Sequence, residues 1–408
     1  MVKRGHGEGG IDERGENIFR LRWRANGKRH TKTFRGTKAE ARKELRALTS
    51  AVDTGEHVDP SKITVGQWID QWIAVGAPGR KKQKVGQRTL ERYEELLRVH
   101  VKPKLGDKIL QKLKATEIDE LYGELEQRLA PMTVNHVHRC FNSSLSTAER
   151  KGMLASNPMT RIEQLPSAGE SDHGLALDEP DLKTLVNGFK PSATMYVPVA
   201  VDAATGVRRN ELLALRWLDF DPQAKTLKIE RALEVTKKFG VRFKVPKTWR
   251  GKRTIALDDG TVTMLLAERE KLQRLLAGIP NGAAVDLGLV RLPDDALIFP
   301  ASPAPGESFD FAKPRDPSNF SKAFRRGADA LAKVFPAVGF EGFEFHHLRG
   351  THATLLLDKG VPVHTVAERI GDDPAVLLRN YAKRKRKQTA DTSVATVINA
   401  ISAGILGS

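Results

Sequence analysis

Five residues in the carboxyl-terminal half of the chain have types suited to phosphodiester chemistry. They are Arg208 in "TGVRRNELLALRW", Lys247 in "VPKTWRGKRTI", His346 and Arg349 in "FEFHHLRGTHATLLL", and Tyr381 in "LLRNYAKRKRK". Cutting a phosphodiester needs a nucleophile, cations aimed at the non-bridging oxygens, and an acid for the departing 5′-oxygen. The sequence offers no carboxylate cluster with metal-ligand spacing and no GxxxxGK[ST] phosphate loop. A metal-free solution would therefore rest on arginine, lysine and histidine, with an amino-acid nucleophile. His346 and Arg349 are three apart, which puts them on one helix face. Gly206, just ahead of Arg208, lets the backbone turn as a helix starts. Each residue taken alone also suits a plain structural role. A tyrosine followed by basic residues, for example, commonly buries its ring and wets its hydroxyl.

The bulk numbers suit a phosphate-rich partner. The chain has 408 residues, 67 Lys and Arg against 50 Asp and Glu, and a formal net charge of +17. Such an excess favours association with polyanions but says nothing of fold. Its 40% hydrophobic and 29% charged content is that of a folded protein, long enough for two or three domains. Cys140 is the only cysteine, so the chain has no internal disulfide or thiolate zinc cluster, and it reads as a small buried filler. No secretory signal is evident at the amino terminus, and no apolar run approaches the roughly 20 residues that span a bilayer. The expectation is an intracellular, non-membrane protein.

The elements that must position the five residues fall into three blocks. Residues 1–58 form a small basic module: Ile18, Arg20, Arg22 and Arg24 alternate with Phe19, Leu21 and Trp23, the period of a strand. Asn26-Gly27 signals a two-residue hairpin, "KRHTKTF" returns as the second strand, and Thr37 caps a helix with Ala41, Leu45 and Leu48 on one side. Such a ribbon could lie in a DNA groove, with Arg20, Arg22, Arg24, Lys28 and Arg29 as contacts. Residues 59–165 read as helical. Thr64 caps a helix through Val65, Trp68, Ile69, Trp72 and Ile73, and a second runs through Leu90, Tyr93, Leu96 and Leu97 and is stopped near Pro103. Between them lies a basic, Gly-containing stretch whose Lys81, Lys82, Lys84 and Arg88 are further candidate DNA contacts. A Pro-, Gly- and Ser-rich linker follows at 166–174. Residues 175–408 mix helices with short strands. "AVDAATGVRRNELLALRWLDFD" reads as one helix, "KTLKIERA" and "RFKVPKTWRGKRTIAL" as two strands around a turn, and helices recur at 261–277, 317–333 and 346–358.

In order and wording these motifs resemble those of the tyrosine recombinases, the phage-type integrases. The family's first box resembles TG-x-R-x-x-EL, matched from Thr205 to Leu212; its hairpin lysine is matched by Lys247, and its HxLR box by His346 to Arg349 with "THA" following. The helical block resembles the core-binding domain, including "VKPKLGDKIL" and "LAPMTVN", and the first block resembles the arm-binding domain, a three-stranded sheet packed on a helix. The resemblance implies a multidomain α+β chain: arm-binding module, all-α core-binding domain, and a mainly α catalytic domain with a small antiparallel sheet, as in type IB topoisomerases. It implies that Arg208 and Arg349 clamp the scissile phosphate, bidentate geometry favouring guanidinium over lysine. Tyr381 would attack to leave a 3′-phosphotyrosine, His346 would assist the proton transfer, and Lys247 would protonate the 5′-oxygen. Bond energy is conserved, so neither ATP nor metal is implied.

One position departs from the family pattern. Nine residues before the tyrosine, where a histidine or tryptophan normally donates to the phosphate, stands Asp372. An ionised carboxylate cannot donate and repels phosphate, so Asp372 must be neutral, bond an arginine, or yield its place to a histidine such as His364. His347 fills the variable position of HxLR, His352 is placed to support Arg349, and Glu211 reads as a structural partner. The implied activity is site-specific recombination that integrates, and in reverse excises, a phage or mobile element. Double-stranded attachment sites are the implied partners, with a synaptic tetramer and an excision or DNA-bending factor, on the chromosome in a prokaryotic cytoplasm. Two other readings are a DNA-binding protein whose cutting site has decayed at Asp372, and a relaxing type IB topoisomerase.

Overall fold

The alternation of Phe19, Leu21 and Trp23 with arginines does fold as a strand. The structure, a computed structural model, describes residues 9–25, 27–53, 58–79, 83–162, 175–245 and 251–385. Lys81, Lys82, Lys247, the 166–174 linker and the chain after 385 lie outside the described residues, as do the side chains of 382–385. Two compact units divide the chain, Met1–Gly169 and Glu170–Ser408.

The first unit begins with an antiparallel sheet of β1 (Gly10–Gly15), β2 (Ile18–Ala25) and β3 (Lys28–Arg35), in that order. Gly27 adopts φ 73°, the left-handed conformation that the tight β2–β3 connection requires. Register pairs Arg20 with Thr33, Arg22 with Thr31 and Arg24 with Arg29. These residues share the sheet face opposite Phe19, Leu21 and Trp23, which pack with Ala41 and Leu45 of α1 (Lys38–Asp53). Lys28 pairs with Ala25 and so has the parity of the core-facing set, at the exposed hairpin end. Thr37 and Glu40 cap α1 reciprocally, Glu40 accepting from the Thr37 amide at 2.7 Å.

The remainder of the unit is helical, around a separate core. α2 (Val65–Ala74) starts at the expected Thr64 cap, which Gln67 completes as a capping box, and buries Trp68, Ile69 and Trp72. α3 (Gln87–Leu96) leads into a π-helical turn at 97–101 and then α4 (Lys102–Leu105). Pro103 stands two residues before the run ends at Leu105, as expected. It sits in the first turn of α4, where its missing N–H costs no bond, and the wider turn before it accommodates the ring. α5 (Ala115–Glu126) and α6 (Pro131–Arg150) complete the bundle. Cys140 is fully buried there, and burial pushes its thiol up, as a filler should behave.

In the second unit, α7 (Glu179–Gly188) and α8 (Tyr196–Thr205) precede a single-turn α9 (Arg209–Leu212). The stretch read as one helix is thus broken, because Gly206 caps α8 in the left-handed conformation at φ 64°. The two expected strands become five in two sheets. β4 (Phe220–Asp221), β5 (Thr226–Ile229) and β8 (Arg253–Ala256) pair in the order β4-β5-β8, and β6 (Ala232–Thr236) pairs with β7 (Gly240–Lys244). The divide falls at Glu230-Arg231, where Arg231 turns aside to pair with the buried Asp219. Helices α10 (Asp259–Ala277), α11 (Pro317–Val334), α12 (Phe345–Asp358), α13 (Val363–Ile370) and α14 (Pro374–Lys385) follow. One apolar core holds most of the unit together, and a smaller one of Ala353, Val366, Ile370 and Leu377 ties α12, α13 and α14.

Candidate active site

Gly206 decides where Arg208 goes. A Cβ at Gly206 would lie 2.7 Å from the His352 ring, so both conformation and space demand glycine. The chain leaves α8 extended and Arg208 becomes the cap of α9, with ψ 140°. Its backbone N–H donates to Glu211 Oε2 at 3.1 Å and its Nη1 to Glu211 Oε1 at 3.0 Å. Its Nη2 donates to the Gly371 carbonyl at 2.7 Å. Burial alone would raise the Glu211 carboxyl; the Arg253 hydrogen bond and charge, with Arg208 beside it, outweigh burial and hold it below the usual range.

Arg349 arrives from α12 and converges on the same spot. Its Nη1 donates to the Gly206 carbonyl at 2.9 Å and the Ile370 carbonyl at 2.5 Å. Burial, with Arg208 nearby, lowers its guanidinium to about 10, so it remains charged at neutral pH. The Asp372 carboxylate lies between the two arginines, Oδ2 at 3.1 Å from Arg349 Nη2 and Oδ1 at 3.5 Å from Arg208 Nη2. Of the expected alternatives for Asp372, bonding arginine is the one realised, and it engages two. His364 lines the neighbouring groove against β8, which Asp372 also borders. Arg208, Arg349, Asp372 and His346 all line one cavity of about 370 Å³. Two guanidiniums from separate segments around an oxyanion form a site that binds tetrahedral or planar anions.

The histidines take different parts. His346 is exposed at the cavity mouth, its Nδ1 3.3 Å from Glu344. His347 is local, as expected: its Nδ1 accepts from the Glu344 amide at 2.9 Å, and its ring lies 4.2 Å from that of His346. The hydrogen bonds of the His352 ring run to Ala203 and Arg369, so any support it gives Arg349 is indirect. His352 is buried with Nδ1 3.0 Å from the Ala203 carbonyl, while Nε2 accepts from Arg369 Nε at 3.0 Å. Burial and the Arg369 charge lower its imidazole to about 4, so it stands neutral with the proton on Nδ1.

Tyr381 is not gathered with the others. Its hydroxyl donates to Asp358 Oδ1 at 2.8 Å, at the last residue of α12, while its neighbour Asn380 lines the cavity. Burial and the Asp358 carboxylate push its phenol up to about 12. Lys247 lies outside the described residues. Lys84 and Arg88 are exposed at the approach to α3, and Arg20 and Arg24 are exposed on the sheet face, where Arg22 pairs with Asp12 at 2.6 Å. Arg253, Arg369 and Asp358 carry no signal of their own in the sequence, since the partners that give them a role lie 17 to 165 residues away.

Asp202 of α8 was missed as well. It is 1% exposed, and neither carboxylate oxygen meets a hydrogen-bond partner among the described residues. Burial raises its carboxyl well above the ordinary range, Arg349 opposing and Glu211 adding to the rise. A raised acid binds more protons folded than unfolded, so its stabilisation is complete below the unfolded value and is lost as pH rises toward the folded one. Asp202→Asn is therefore expected to gain stability on wild type as pH rises from 5 to 8, by up to about 1.4 kcal/mol per pH unit. Denaturant melts across that range test this; a constant difference would mean that Asp202 is ionised.

Residues 176–388 match the family model described as the phage integrase family, and residues 64–125 match the phage integrase N-terminal SAM-like domain. An integrase of Streptomyces ambofaciens is 26% identical over 407 residues, covering 94% of this chain and 94% of its own length. Among solved structures, the Tn1549 transposon integrase with circular-intermediate DNA has TM-score 0.64 and 18% identity, covering 83% of this chain and 99% of that one. A lambda integrase tetramer bound to a Holliday junction has TM-score 0.51 and 15% identity, covering 89% and 95%. The two structures speak to the shared fold.

Proposed function

The chain belongs to the phage integrase family, and on that premise we propose that its second unit cuts and rejoins DNA through Tyr381. It is a site-specific recombinase with the tyrosine recombinase fold. The observation that carries the reading is the convergence of Arg208 and Arg349 on one carboxylate. A scissile phosphate takes the place of that carboxylate, its non-bridging oxygens accepting from both guanidiniums. Tyr381 leaves Asp358 and its oxygen attacks phosphorus. The phosphorus–O5′ bond breaks, the phenol proton passes to His346, and Lys247 protonates the departing 5′-oxygen. Attack on the phosphotyrosine by a different 5′-hydroxyl reverses the step and joins new strands.

Residues 1–58 act as the arm-binding module, with Arg20, Arg22, Arg24 and Arg29 presented on one sheet face and Lys28 at its tip. Residues 59–165 act as the core-binding domain, where Lys81, Lys82, Lys84 and Arg88 meet the DNA backbone. Four protomers assemble on two attachment sites of a mobile element, on the chromosome of a prokaryotic cell. An excision factor or DNA-bending protein sets the direction. The test is covalent capture: the protein is incubated with nicked duplexes of randomised core sequence, and adducts surviving detergent are recovered and sequenced. Wild type is expected to yield adducts of a defined sequence and Tyr381→Phe none. A wild type that gives nothing beyond Tyr381→Phe would instead favour a DNA-binding protein with a decayed site.

A further inference from the structure

Two more arginines stand behind the pair that grips the anion. Arg253 of β8 is 5% exposed in its side chain and donates Nη2 to Glu211 Oε2 at 2.8 Å and Nε to the Arg369 carbonyl at 2.7 Å. Glu211, 4% exposed, is the carboxylate that also holds Arg208. Arg369 closes α13 and reaches in three directions. Its Nη1 donates to the Ala256 carbonyl at the end of β8 at 2.9 Å, its Nη2 to the Ala204 carbonyl in α8 at 3.1 Å, and its Nε to His352 in α12 at 3.0 Å. The next two carbonyls along the chain, Ile370 and Gly371, are those that accept from Arg349 and Arg208. Neither Arg253 nor Arg369 lines the cavity that holds the anion site.

We propose that Arg253 and Arg369 are positioning residues which set the spacing of Arg208 and Arg349, an inference that rests on the phosphate-clamp reading above. The chain of contacts is short and made of stiff parts. Arg253 fixes Glu211, and Glu211 aims the Arg208 guanidinium. Arg369 pins the α13 terminus against α8, α12 and β8, so the Ile370 and Gly371 carbonyls are held where the clamp needs them. Each guanidinium uses three donors that diverge in its plane, Arg253 also giving Nη1 to the Gly251 carbonyl at 3.4 Å, a geometry that a lysine ammonium cannot reproduce. Lysine at either place keeps the charge opposite Glu211 or beside His352 but releases part of the fork. The clamp then loosens without losing either of its own arginines. A displacement on the order of 1 Å of such a group typically costs about 10²-fold in rate.

The experiment uses the full-length chain and the nicked duplex recovered by wild-type capture. Arg253→Lys and Arg369→Lys are compared with wild type in duplex affinity, thermal melting, and the single-turnover rate of adduct formation at saturating protein. The expected result is a rate lower by about 10- to 100-fold, with affinity within about twofold and a folded protein at the assay temperature. A wild-type rate in both variants would overturn the inference. So would a rate that falls only in step with affinity or with the folded fraction, since the pair would then serve stability alone. If wild type itself forms no adduct, the recombinase reading fails first, and the inference with it.

Discussion

Arg349→Ala is expected to lower adduct formation by about 10³-fold or more, the scale on which arginines that stabilise phosphoryl transition states act. The Arg349 side chain is 13% exposed, and its guanidinium meets the Gly206 carbonyl, the Ile370 carbonyl and Asp372 at once. No neighbouring side chain can take over that fork. Duplex affinity should change by less than about tenfold, because binding to DNA is spread over many phosphate contacts. The single-turnover rate on the captured duplex, together with gel-shift affinity, measures both halves. Arg349→Lys keeps the charge but cannot satisfy the same acceptors, so a loss of about 10²-fold is expected. Cleavage by Arg349→Ala within tenfold of wild type would remove it from the clamp.

Asp372→His is expected to act in the opposite direction. The Asp372 carboxylate engages both arginines, at 3.1 and 3.5 Å. An incoming phosphate must displace that charge, and an ionised carboxylate left at the rim repels it. Histidine removes the competitor and adds a donor, for which a gain of about 10²-fold in the single-turnover rate is expected. Asp372→Asn removes the charge and should give a smaller gain, with a lower melting temperature because Arg349 loses its counter-ion. Slower cleavage by Asp372→His would show that the carboxylate has its own part in catalysis.

What could be read from the sequence was local. The alternation of Phe19, Leu21 and Trp23 with arginines, the Thr64 cap and the three-residue spacing of His346 and Arg349 each depend on neighbours a few positions away. Each is present as expected. What failed depended on distant partners. Arg253 is defined by a carbonyl 116 residues away, and Arg208 by one 163 residues away. The two strands expected around a turn are in fact split, because the β6–β7 hairpin is inserted in the chain between the paired β5 and β8. Helix α8 is shorter than expected because Gly206 caps it in the left-handed conformation, and the second demand for glycine there, the His352 ring, lies 146 positions along the chain. The family motifs carried the site further than periodicity could, since their order encodes those distant contacts indirectly.

The hydrogen bond between Tyr381 and Asp358 bears on timing. Arg349 and Asp358 lie nine residues apart on α12, about 14 Å along its axis at 1.5 Å per residue. The same helix thus presents an anion-gripping guanidinium near its start and a berth for the nucleophile at its end. A duplex that reaches the arginines meets a tyrosine that is still protonated and still moored elsewhere. On the proposed mechanism, cutting then has two clocks, one for capturing the phosphate and one for releasing the phenol, and the slower of them sets how long an uncommitted complex can let its DNA go intact.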